Sequence, residues 1–588
     1  MERVRFIEVI LPLRLEWNPV YSVPAEVFDT LHKGSRVRVI FAHKEYVGVV
    51  CALDAVPKVD ESKILPVAGI ETGLPDISEP EFKLWEFISD YYLCSVGEVY
   101  KAAYPIQKVR SEEVAVNAAE RARRSREKLL QAAQKRVDTL RGRLARKEAD
   151  LGRKHSEAVM ARLREDKEQI LAELRAAEDA ARRLESVGTL KLRGAAGKQA
   201  AKAGKPKLLT SPDRRSEYLQ MCRKSLDGGF SSLVLVPEND FTGIIEDRFR
   251  QEFGDRMLVF GSRKTAVQRR RTADLLREAA EPYVVVGTRS ALFLPFSDLG
   301  LMIVDEEQDP LHKQTEPAPR INARDCAAML ASIHGAQFVL GSATPSLETL
   351  YNCLTGKYSQ EGSPAANAPV EVIDVSEERR KRGMSGPFSY KLKDIIDNTA
   401  GGAVLVRGWE NVEELDGWTG DLFADRQLTV LTPQAARKLP GRVPLIAVLQ
   451  ADALFPRDDF RADERALQLL RQIGERTDRL VVQTAKSAHP VFASLSSGAD
   501  ASSLLEERRD FNLPPFTKIV DIRIDDDSES RKELMTSRLM KALKVNSLRL
   551  TFARNAQLCA RKAALRQEIL AFEKENRYPY HIKIDVDP

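Results

Sequence analysis

The hydrophobic pattern of the first hundred residues is that of a small β-domain. Two segments within the first 50 residues alternate apolar and polar side chains, which is typical of strands with one buried face. Glu81–Leu93 then carries its apolar side chains at helical spacing. Arg36 and Arg38 alternate with valines, so they belong either to a solvated strand face or to a face that binds phosphate. We predict a β-domain followed by a helix over residues 1–105.

A long helical insert follows over residues 106–206. It lacks aromatic residues and is rich in Ala, Arg, Glu, Lys and Leu, which favour long helices. Two apolar seams step by seven residues but slip in phase near Gly152, which predicts either a coiled-coil hairpin or one stuttered rod. The seams are Leu130, Val137, Leu144, Leu151 and Leu163, Ile170, Ala177, Leu184. The insert ends in a basic, Gly/Ala-rich segment, which we interpret as a solvated linker.

Beyond the insert, short and almost continuously apolar runs alternate with helical segments. This pattern is typical of parallel strands that helices cover on both faces, so the predicted fold class is α/β. The runs are strong over residues 207–375 and weaker over 376–500, which predicts two α/β lobes. Residues 501–588 read strand–helix–strand and are expected to form a C-terminal α+β domain.

Composition narrows the class of protein. The 588 residues are 43% hydrophobic and 30% charged, which excludes disorder of the whole chain. The net charge is only +5, so any surface that binds an anionic partner must be local. The six cysteines form no CxxC pair, so we expect no zinc or other metal module and no disulfide framework. No run of 18 uncharged apolar residues occurs, so we expect a cytoplasmic protein without a membrane span.

Polar turns follow three predicted strands of the first lobe. Asp305 and Glu306 end the run GLMIV, and the turns at 286–290 and 341–346 follow two other strands. The carboxyl ends of parallel strands meet at one edge of a sheet, where ligands bind. In P-loop nucleoside triphosphatases the first acid of such a pair holds magnesium, and a neighbouring acid can orient the attacking water. The alternative is an ordinary acidic turn.

Long stretches of the chain resemble the PriA family, the superfamily 2 helicases of bacterial replication restart. The similarity lies in VVVGTRSALFLPFSDLGLMIVDEEQDPLHK, VLGSATPSLETL, YYLCSVGEVYKAAYP and QADALFPRDDFRADERALQLLRQ. The resemblance implies two RecA-like helicase lobes, with ATP and magnesium bound at Asp305 and Glu306. It also implies an N-terminal domain that captures the 3′ end of a strand at a fork, primosome partners that load the replicative helicase, and association with the nucleoid.

The chain departs from this family where the nucleotide would bind. In the segment LLTSPDRRSEYLQM, Arg215 and Ser216 stand where the family's Walker A loop has its lysine and its hydroxyl residue. No glycine occurs between Gly204 and Gly228, and Pro212 removes one backbone N–H group. The backbone amides therefore cannot converge on a phosphate as that loop requires.

The second lobe departs from the family in a similar way. In the arginine-finger motif, Arg476 and Arg479 keep their places, but Glu475 and Asp478 replace two glycines. The zinc-binding module of the family is missing, because no cysteine occurs between positions 353 and 559. The helical insert stands where the family has its winged-helix region.

These observations predict a PriA-like protein that binds forked or single-stranded DNA and supports replication restart without ATP-driven unwinding. In this interpretation Asp305 and Glu306 are vestigial, although residual binding of ATP and magnesium stays open. One alternative is a working ATP-dependent 3′–5′ helicase with unusual phosphate contacts. Another is an interaction scaffold whose coiled-coil insert is the functional part. The candidate DNA contacts are the basic residues Arg36, Arg38, Lys44, Arg289 and Lys313.

Overall fold

The structure is a computed structural model, and it describes most of the chain outside the insert. The described residues are 4–57, 59–105, 131, 134–152, 163–164, 166–171, 173–175, 178, 204–237, 244–262, 264–277, 281–364, 368–407, 423, 428–456, 459–497, 501–578 and 581–588. The chain divides into two compact units, the first made of residues 1–9, 19–76 and 106–199, the second of residues 10–18, 77–105 and 200–588. Among the described residues, no helix has both the length and the apolar composition of a membrane span.

The first unit contains a five-stranded sheet with the strand order β2-β1-β4-β3-β5. Its elements are β1 (Val4–Ile10), β2 (Val20–Pro24), α1 (Ala25–Phe28), β3 (Arg36–Phe41), β4 (Lys44–Leu53) and β5 (Gly69–Ile70). β3 and β4 form a hairpin whose two turn residues, Ala42 and His43, have φ angles of 46° and 62°. Two positive φ angles are what a tight type I′ turn requires, and they place Lys44 at the tip of the hairpin.

The described part of the insert contains two helical segments that lie side by side and run antiparallel. Arg141 pairs with Glu178 at 2.6 Å, whereas Lys147, further along the first segment, pairs with Asp166 at 2.5 Å. Leu174 packs into a small apolar cluster with residues of the first segment. This order of contacts favours the hairpin over the single rod. The heptad positions 130, 177 and 184 lie outside the described residues, so coiled-coil packing along the whole insert stays a prediction.

The second unit begins with two amphipathic helices and continues into the first lobe, a seven-stranded parallel sheet. The sheet has the strand order β12-β6-β11-β10-β7-β9-β8. The strands are β6 (Lys207–Leu209), β7 (Ser231–Leu235), β8 (Met257–Phe260), β9 (Val284–Gly287), β10 (Leu299–Asp305), β11 (Gln337–Gly341) and β12 (Ser359–Glu361). The helices are α2 (Glu79–Tyr92), α3 (Val96–Ala103), α4 (Arg214–Asp227), α5 (Ile244–Phe253), α6 (Ala266–Arg277), α7 (Ala323–His334) and α8 (Leu347–Leu354).

The second lobe is a five-stranded parallel sheet with the strand order β13-β19-β18-β16-β17. Its strands are β13 (Val370–Asp374), β16 (Ala403–Arg407), β17 (Leu428–Leu431), β18 (Leu445–Leu449) and β19 (Leu480–Thr484), with a small hairpin of β14 (Met384–Ser385) and β15 (Phe388–Ser389). Its helices are α9 (Val375–Lys381), α10 (Tyr390–Asp397), α11 (Pro433–Ala436), α12 (Ala462–Gly474), α13 (Pro490–Ser497) and α14 (Ser502–Asp510). Strands such as β18 are buried along their whole length, as helices on both faces require.

The C-terminal domain packs two helices against a three-stranded antiparallel sheet with the strand order β21-β20-β22. Its elements are β20 (Thr517–Ile524), α15 (Glu529–Leu543), β21 (Arg549–Ala553), α16 (Leu558–Glu575) and β22 (Ile582–Val586). The predicted fold class, α/β lobes with a small N-terminal β-domain and a C-terminal α+β domain, is confirmed by these sheets.

Two of the predicted domain boundaries fall inside packed structure. The boundary at 375/376 follows β13, but β13 pairs with β19 and so belongs to the second sheet. The boundary at 500/501 precedes α14, but Leu504 and Leu505 of that helix pack into the core of the second lobe. Both elements join the second lobe through tertiary contacts that a local hydrophobic pattern does not contain.

Candidate nucleotide site and lobe interface

The carboxyl ends of the first-lobe strands form one edge, as the polar turns predict. The parallel register places Asp305 at the end of β10 directly opposite Gly341 at the end of β11. Asp305 is 1% exposed, and its backbone carbonyl oxygen lies 3.0 Å from Nε2 of the buried His312. The acid pair of the sequence motif therefore stands at the edge where an α/β sheet binds ligands.

Arginine side chains from the start of α4 bind the carboxylates of Asp305 and Glu306. Arg214 Nε donates to Asp305 Oδ1 at 3.0 Å, and Arg214 Nη2 donates to the carboxylate of Glu306. Arg215 Nε donates to the other carboxylate oxygen of Asp305 at 3.3 Å, and the hydroxyl of Tyr218 donates to Oδ1 at 3.0 Å. Asp305 thus has three donors from one helix. Sequence analysis assigned Arg215 to this region but missed Arg214, which makes the more buried contact.

The local sequence explains why α4 reaches the acids. Arg214 and Tyr218 are separated by one helical turn, so they lie on the same face of α4. Tyr218 fits because β11 ends in glycine: a Cβ added to Gly341 would lie 1.5 Å from the tyrosine hydroxyl oxygen and 3.2 Å from Asp305 Oδ1. The spacing of Arg214 and Tyr218 and the glycine opposite Asp305 are the signals from which this arrangement could have been found.

The electrostatics of the cluster are those of an internally neutralised site. Burial by itself would raise the pKa of Asp305, but the charges of Arg214 and Arg215 outweigh it and the pKa is lowered. Burial would likewise lower the pKa of Arg214, yet Asp305 and Glu306 hold it well above its ordinary value. Asp305 and Arg214 are therefore each kept ionised by their partners. A magnesium ion would have to displace guanidinium groups that already satisfy these carboxylates.

The loop before α4 does not form a phosphate cradle either. The backbone N–H of Thr210 donates to the carbonyl oxygen of Glu361 in β12 at 3.0 Å, so it is used within the sheet. Pro212 has no N–H, and Ser216 directs its hydroxyl to Asp213 Oδ1 at 2.6 Å. The residues present do not fit ATP with magnesium: the acids are bound to arginines, and the loop amides do not converge.

Side chains of the second lobe contact the acidic residues at this edge of the first lobe. Gln472 Nε2 donates to Glu306 Oε2 at 3.2 Å, and Arg437 bonds both Gln472 Oε1 at 3.3 Å and Asp309 of the first lobe at 2.7 Å. Burial raises the pKa of Glu475, and the negative charge of Glu306 raises it further. The glutamate that replaces a glycine in the arginine-finger motif therefore lies within electrostatic reach of the acid pair.

The two arginines of that motif are used inside the second lobe. Arg476 Nε donates to the carbonyl oxygen of Arg437 at 3.1 Å. Arg479 pairs with Glu371 of β13 at 2.5 Å and is exposed. The predicted role of both arginines at a transferred phosphate is not supported by these contacts, because each side chain is directed to another partner.

A second interface joins the lobes through apolar side chains. Leu347 of α8, in the first lobe, lies in one hydrophobic cluster with α12 and α14 of the second lobe. Its backbone N–H donates to Glu464 Oε1 at 2.9 Å, and Glu348 pairs with Arg461 of the second lobe at 2.7 Å. Glu464 also pairs with Arg508 at 3.1 Å. The lobes are therefore connected by a shared apolar core, by the Leu347–Glu464 hydrogen bond and by the Glu348–Arg461 ion pair.

The structure reassigns most of the predicted DNA contacts. Arg36 is fully buried and donates to the carbonyl oxygen of Pro75 at 3.1 Å, so it is a core residue and neither of its predicted positions is correct. Arg289 donates to the carbonyl oxygens of Leu311 and Lys313 at 2.8 and 2.9 Å. Both arginines hold the backbone of a covering segment and are not available to phosphate.

Lys313 is another predicted contact that the fold uses internally. Its Nζ donates to the carbonyl oxygen of Val586 at 2.8 Å and pairs with Asp585 at 2.7 Å. Arg38 is half-buried, with its guanidinium lying against the backbone of Gly69. Lys44, at the hairpin tip, is exposed. Of the predicted set, Lys44 is therefore the residue whose position best suits a phosphate contact.

Comparison with known proteins finds a family match near the N-terminus and a relative that aligns along the whole chain. Residues 8–105 match the family described as 3'DNA-binding domain (3'BD) of PriA. The replication restart protein PriA of Rickettsia felis is 24% identical over an alignment that covers 100% of this chain and 99% of the relative. PriA of Chlamydia pneumoniae is 38% identical over 32% of this chain and 26% of the relative, and PriA of Haemophilus influenzae is 27% identical over 53% and 56%.

Among solved structures, RecG bound to a three-way DNA junction is 13% identical and gives a TM-score of 0.34 over 51% of this chain and 43% of that chain. The helicase Lhr of Mycobacterium smegmatis is 14% identical with a TM-score of 0.32 over 50% and 46%. Residues 8–105 thus match the DNA-binding domain of the PriA family, and the chain as a whole is similar to the replication restart proteins of that family.

Proposed function

We propose that this protein binds DNA at stalled forks and supports replication restart without ATP-driven unwinding. Similarity to the PriA family and the match to the 3'DNA-binding domain support DNA as the partner. Primosome proteins that load the replicative helicase are the proposed protein partners, and the nucleoid is the proposed location.

The observation that carries the loss of unwinding is the arginine cluster at the acid pair. Phosphoryl transfer requires a metal ion held by an acid and a loop that positions the phosphates. Here Arg214 and Arg215 bind Asp305 from the helix that follows the vestigial loop. An internal cation thus stands where a bound metal would be needed.

The interface between the lobes supports the same proposal. A motor converts nucleotide binding into opening and closing of its lobes, which needs an interface of low stability. In this chain α8 of the first lobe packs into the apolar core of the second lobe, and Glu464 accepts the Leu347 N–H across that interface. Separating the lobes would expose this core and leave buried charges without partners, which is strongly unfavourable.

Two measurements on the purified full-length chain test the proposal. We expect nanomolar-to-micromolar binding of a forked DNA with a free 3′ end, measured by fluorescence anisotropy, and no DNA-stimulated release of phosphate from ATP above buffer. Turnover that Asp305→Asn abolishes would refute the absence of a motor. Absence of fork binding at low salt would refute the DNA-binding role.

The scaffold alternative is tested by removing the insert. If deletion of residues 111–186 leaves fork binding unchanged but removes a helicase-loading partner from the complex, the insert carries the interaction. The deletion removes both partners of each ion pair between the described segments, so it leaves none of these charges unpaired.

A further inference from the structure

The sheet of the C-terminal domain has two edge strands, and the first lobe covers one of them. At the β22 edge, the Asp587 N–H donates to β20 at 2.8 Å, so the odd-numbered residues of β22 bond to the sheet. The even-numbered residues therefore direct their backbone groups outward, because these bonds alternate along an antiparallel strand. Arg320 donates to the outward carbonyl oxygen of Ile584 at 3.2 Å. Lys313 donates to that of Val586 at 2.8 Å, so side chains of the first lobe close this edge.

β21 forms the opposite edge, and the same alternation leaves its backbone open. The Ile522 N–H donates to the carbonyl oxygen of Leu548 at 2.9 Å, so the even-numbered residues of β21 bond to β20. The odd-numbered residues direct their N–H and C=O groups away from the sheet. The Ala553 carbonyl oxygen accepts the Asn555 N–H at 3.0 Å. Among the described residues, none bonds to the N–H or C=O of Thr551 or to the N–H of Ala553.

β21 also lacks the features that protect most edge strands. Natural edges are commonly blunted by Pro, by Lys or by a bulge. β21 reads RLTFA, and its five residues pair with β20 without a register shift. Its charged residue, Arg549, is held by two hydrogen bonds of 2.8 Å to Asp521. The odd-numbered residues are exposed and the apolar Leu550 and Phe552 are half-buried, so the edge offers unused backbone groups beside partly exposed apolar side chains.

A second copy of β21 complements this edge. When two such strands pair antiparallel about Thr551, each Thr551 N–H donates to the Thr551 carbonyl oxygen of the other copy. The Ala553 N–H of each copy then faces the Arg549 carbonyl of the other, and a carbonyl oxygen has two lone pairs to offer. Leu550 lies opposite Phe552, and Arg549 lies opposite Ala553, so like charges do not face each other. Apolar and Thr–Thr cross-strand pairs of this kind stabilise a sheet.

We propose that β21 is a self-association surface at which two copies of this chain join their three-stranded C-terminal sheets into one sheet of six strands. The interface is isologous, since the same strand contributes both halves. The proposal goes beyond fork binding and does not depend on it. Two short strands form a small interface, so we expect reversible association in the micromolar range.

The test measures sedimentation velocity of the full-length protein without DNA, at concentrations from about 1 to 100 µM. We expect the wild type to shift from monomer to dimer across this range. Ala553→Glu places a carboxylate opposite Arg549 of the other copy in both halves of the pair and should strengthen association about fivefold. Ala553→Lys places like charges there and should weaken association about fivefold. The opposite signs separate the edge from a general effect of substitution.

A second pair of variants tests the backbone bonds. Thr551→Pro removes the central N–H, which the sheet of one copy does not use, and should abolish association. Proline is tolerated in an edge strand at a position whose N–H faces solvent. Thr551→Val is the matched control, because it keeps the N–H and a β-branched side chain, and it should associate as the wild type does. The two Ala553 variants keep the proposal testable if the proline disturbs the domain.

Three outcomes would overturn the proposal. The first is a wild type that stays monomeric at about 100 µM. The second is a dimer that the two Ala553 variants change in the same direction or leave unchanged, because that dimer uses another surface. The third concerns a synthetic peptide of residues 547–555, which should lower the dimer fraction by occupying the edge. A chain that binds this peptide but stays monomeric would assign the edge to a different extended partner. The samples contain no DNA, so each outcome leaves the test of fork binding untouched.

Discussion

Replacing Arg214 with alanine removes the guanidinium that lies between Asp305 and Glu306. Asp305 is 1% exposed, so the substitution leaves a buried carboxylate with Arg215 and Tyr218 as its remaining donors. Breaking a buried ion pair by removing one partner costs about 3–5 kcal/mol of stability. We expect a loss of this size in the first lobe at neutral pH.

The pH dependence of the loss follows from the pKa of Asp305. In the native protein its pKa is lowered, so the ionised carboxyl stabilises the fold above its unfolded value of about 3.9 and this contribution is lost as the pH falls through the lowered pKa. Without Arg214, less positive charge opposes the effect of burial on Asp305. The pKa of Asp305 is therefore higher in the variant than in the native protein. The difference in stability between Arg214→Ala and the native protein should therefore be largest at pH 7 and should shrink as Asp305 becomes protonated at low pH.

Hydrogen exchange of the β10 amides is the suitable assay, because several domains unfold in this chain and a single unfolding curve would mix them. Arg223→Ala is the matched control. Arg223 lies on the same helix and pairs with Glu252, but its side chain is 61% exposed, so the loss should be about 1 kcal/mol or less. If the two substitutions accelerate exchange in β10 equally, the buried cluster does not hold the acids as described.

Three further substitutions test other parts of the structure. Gly341→Ala should destabilise the first lobe by about 1–3 kcal/mol in the hydrogen exchange of β10, because the new methyl group overlaps the Tyr218 hydroxyl, whereas Gly441→Ala, whose methyl group meets no atom within 4 Å, should leave that exchange unchanged. Burial and a neighbouring carboxylate raise the pKa of Glu464, so its contribution is present below the unfolded pKa and is lost as the pH rises through the raised value. Glu464→Gln should accordingly cost less stability than Glu464→Ala in the hydrogen exchange of the β18 amides and should flatten this pH dependence; equal losses would contradict the account. Lys44→Ala should lower the salt slope of fork binding by about 0.9, the value for one duplex phosphate, and an unchanged slope would remove it from the DNA surface.

The strands of both lobes could be predicted because a buried parallel strand is apolar along its whole length. β8 and β17 begin and end at the residues that the hydrophobic runs indicate. Membership of a sheet could not be predicted in the same way. β13 carries too short an apolar run to show that its partner is β19, more than 100 residues later, and this pairing moves the lobe boundary.

Side-chain roles were predicted less well than the fold, for two physical reasons. Alternation along β3 shows which residues share a face, but not that a second layer covers the face that carries Arg36. Similarly, the family motif indicates which residues replace the Walker lysine, but not which of two adjacent arginines faces β10. α4 begins at Arg214, so Arg214 and Tyr218 lie on the same face of the helix, and this face is the one that contacts β10.

The most direct test of the central claim is a calorimetric titration of magnesium ATP into the full-length protein bound to forked DNA. Because the guanidinium groups of α4 already neutralise the acid pair, the account predicts heats equal to dilution at millimolar nucleotide. A saturable one-to-one isotherm that Asp305→Asn removes would contradict it.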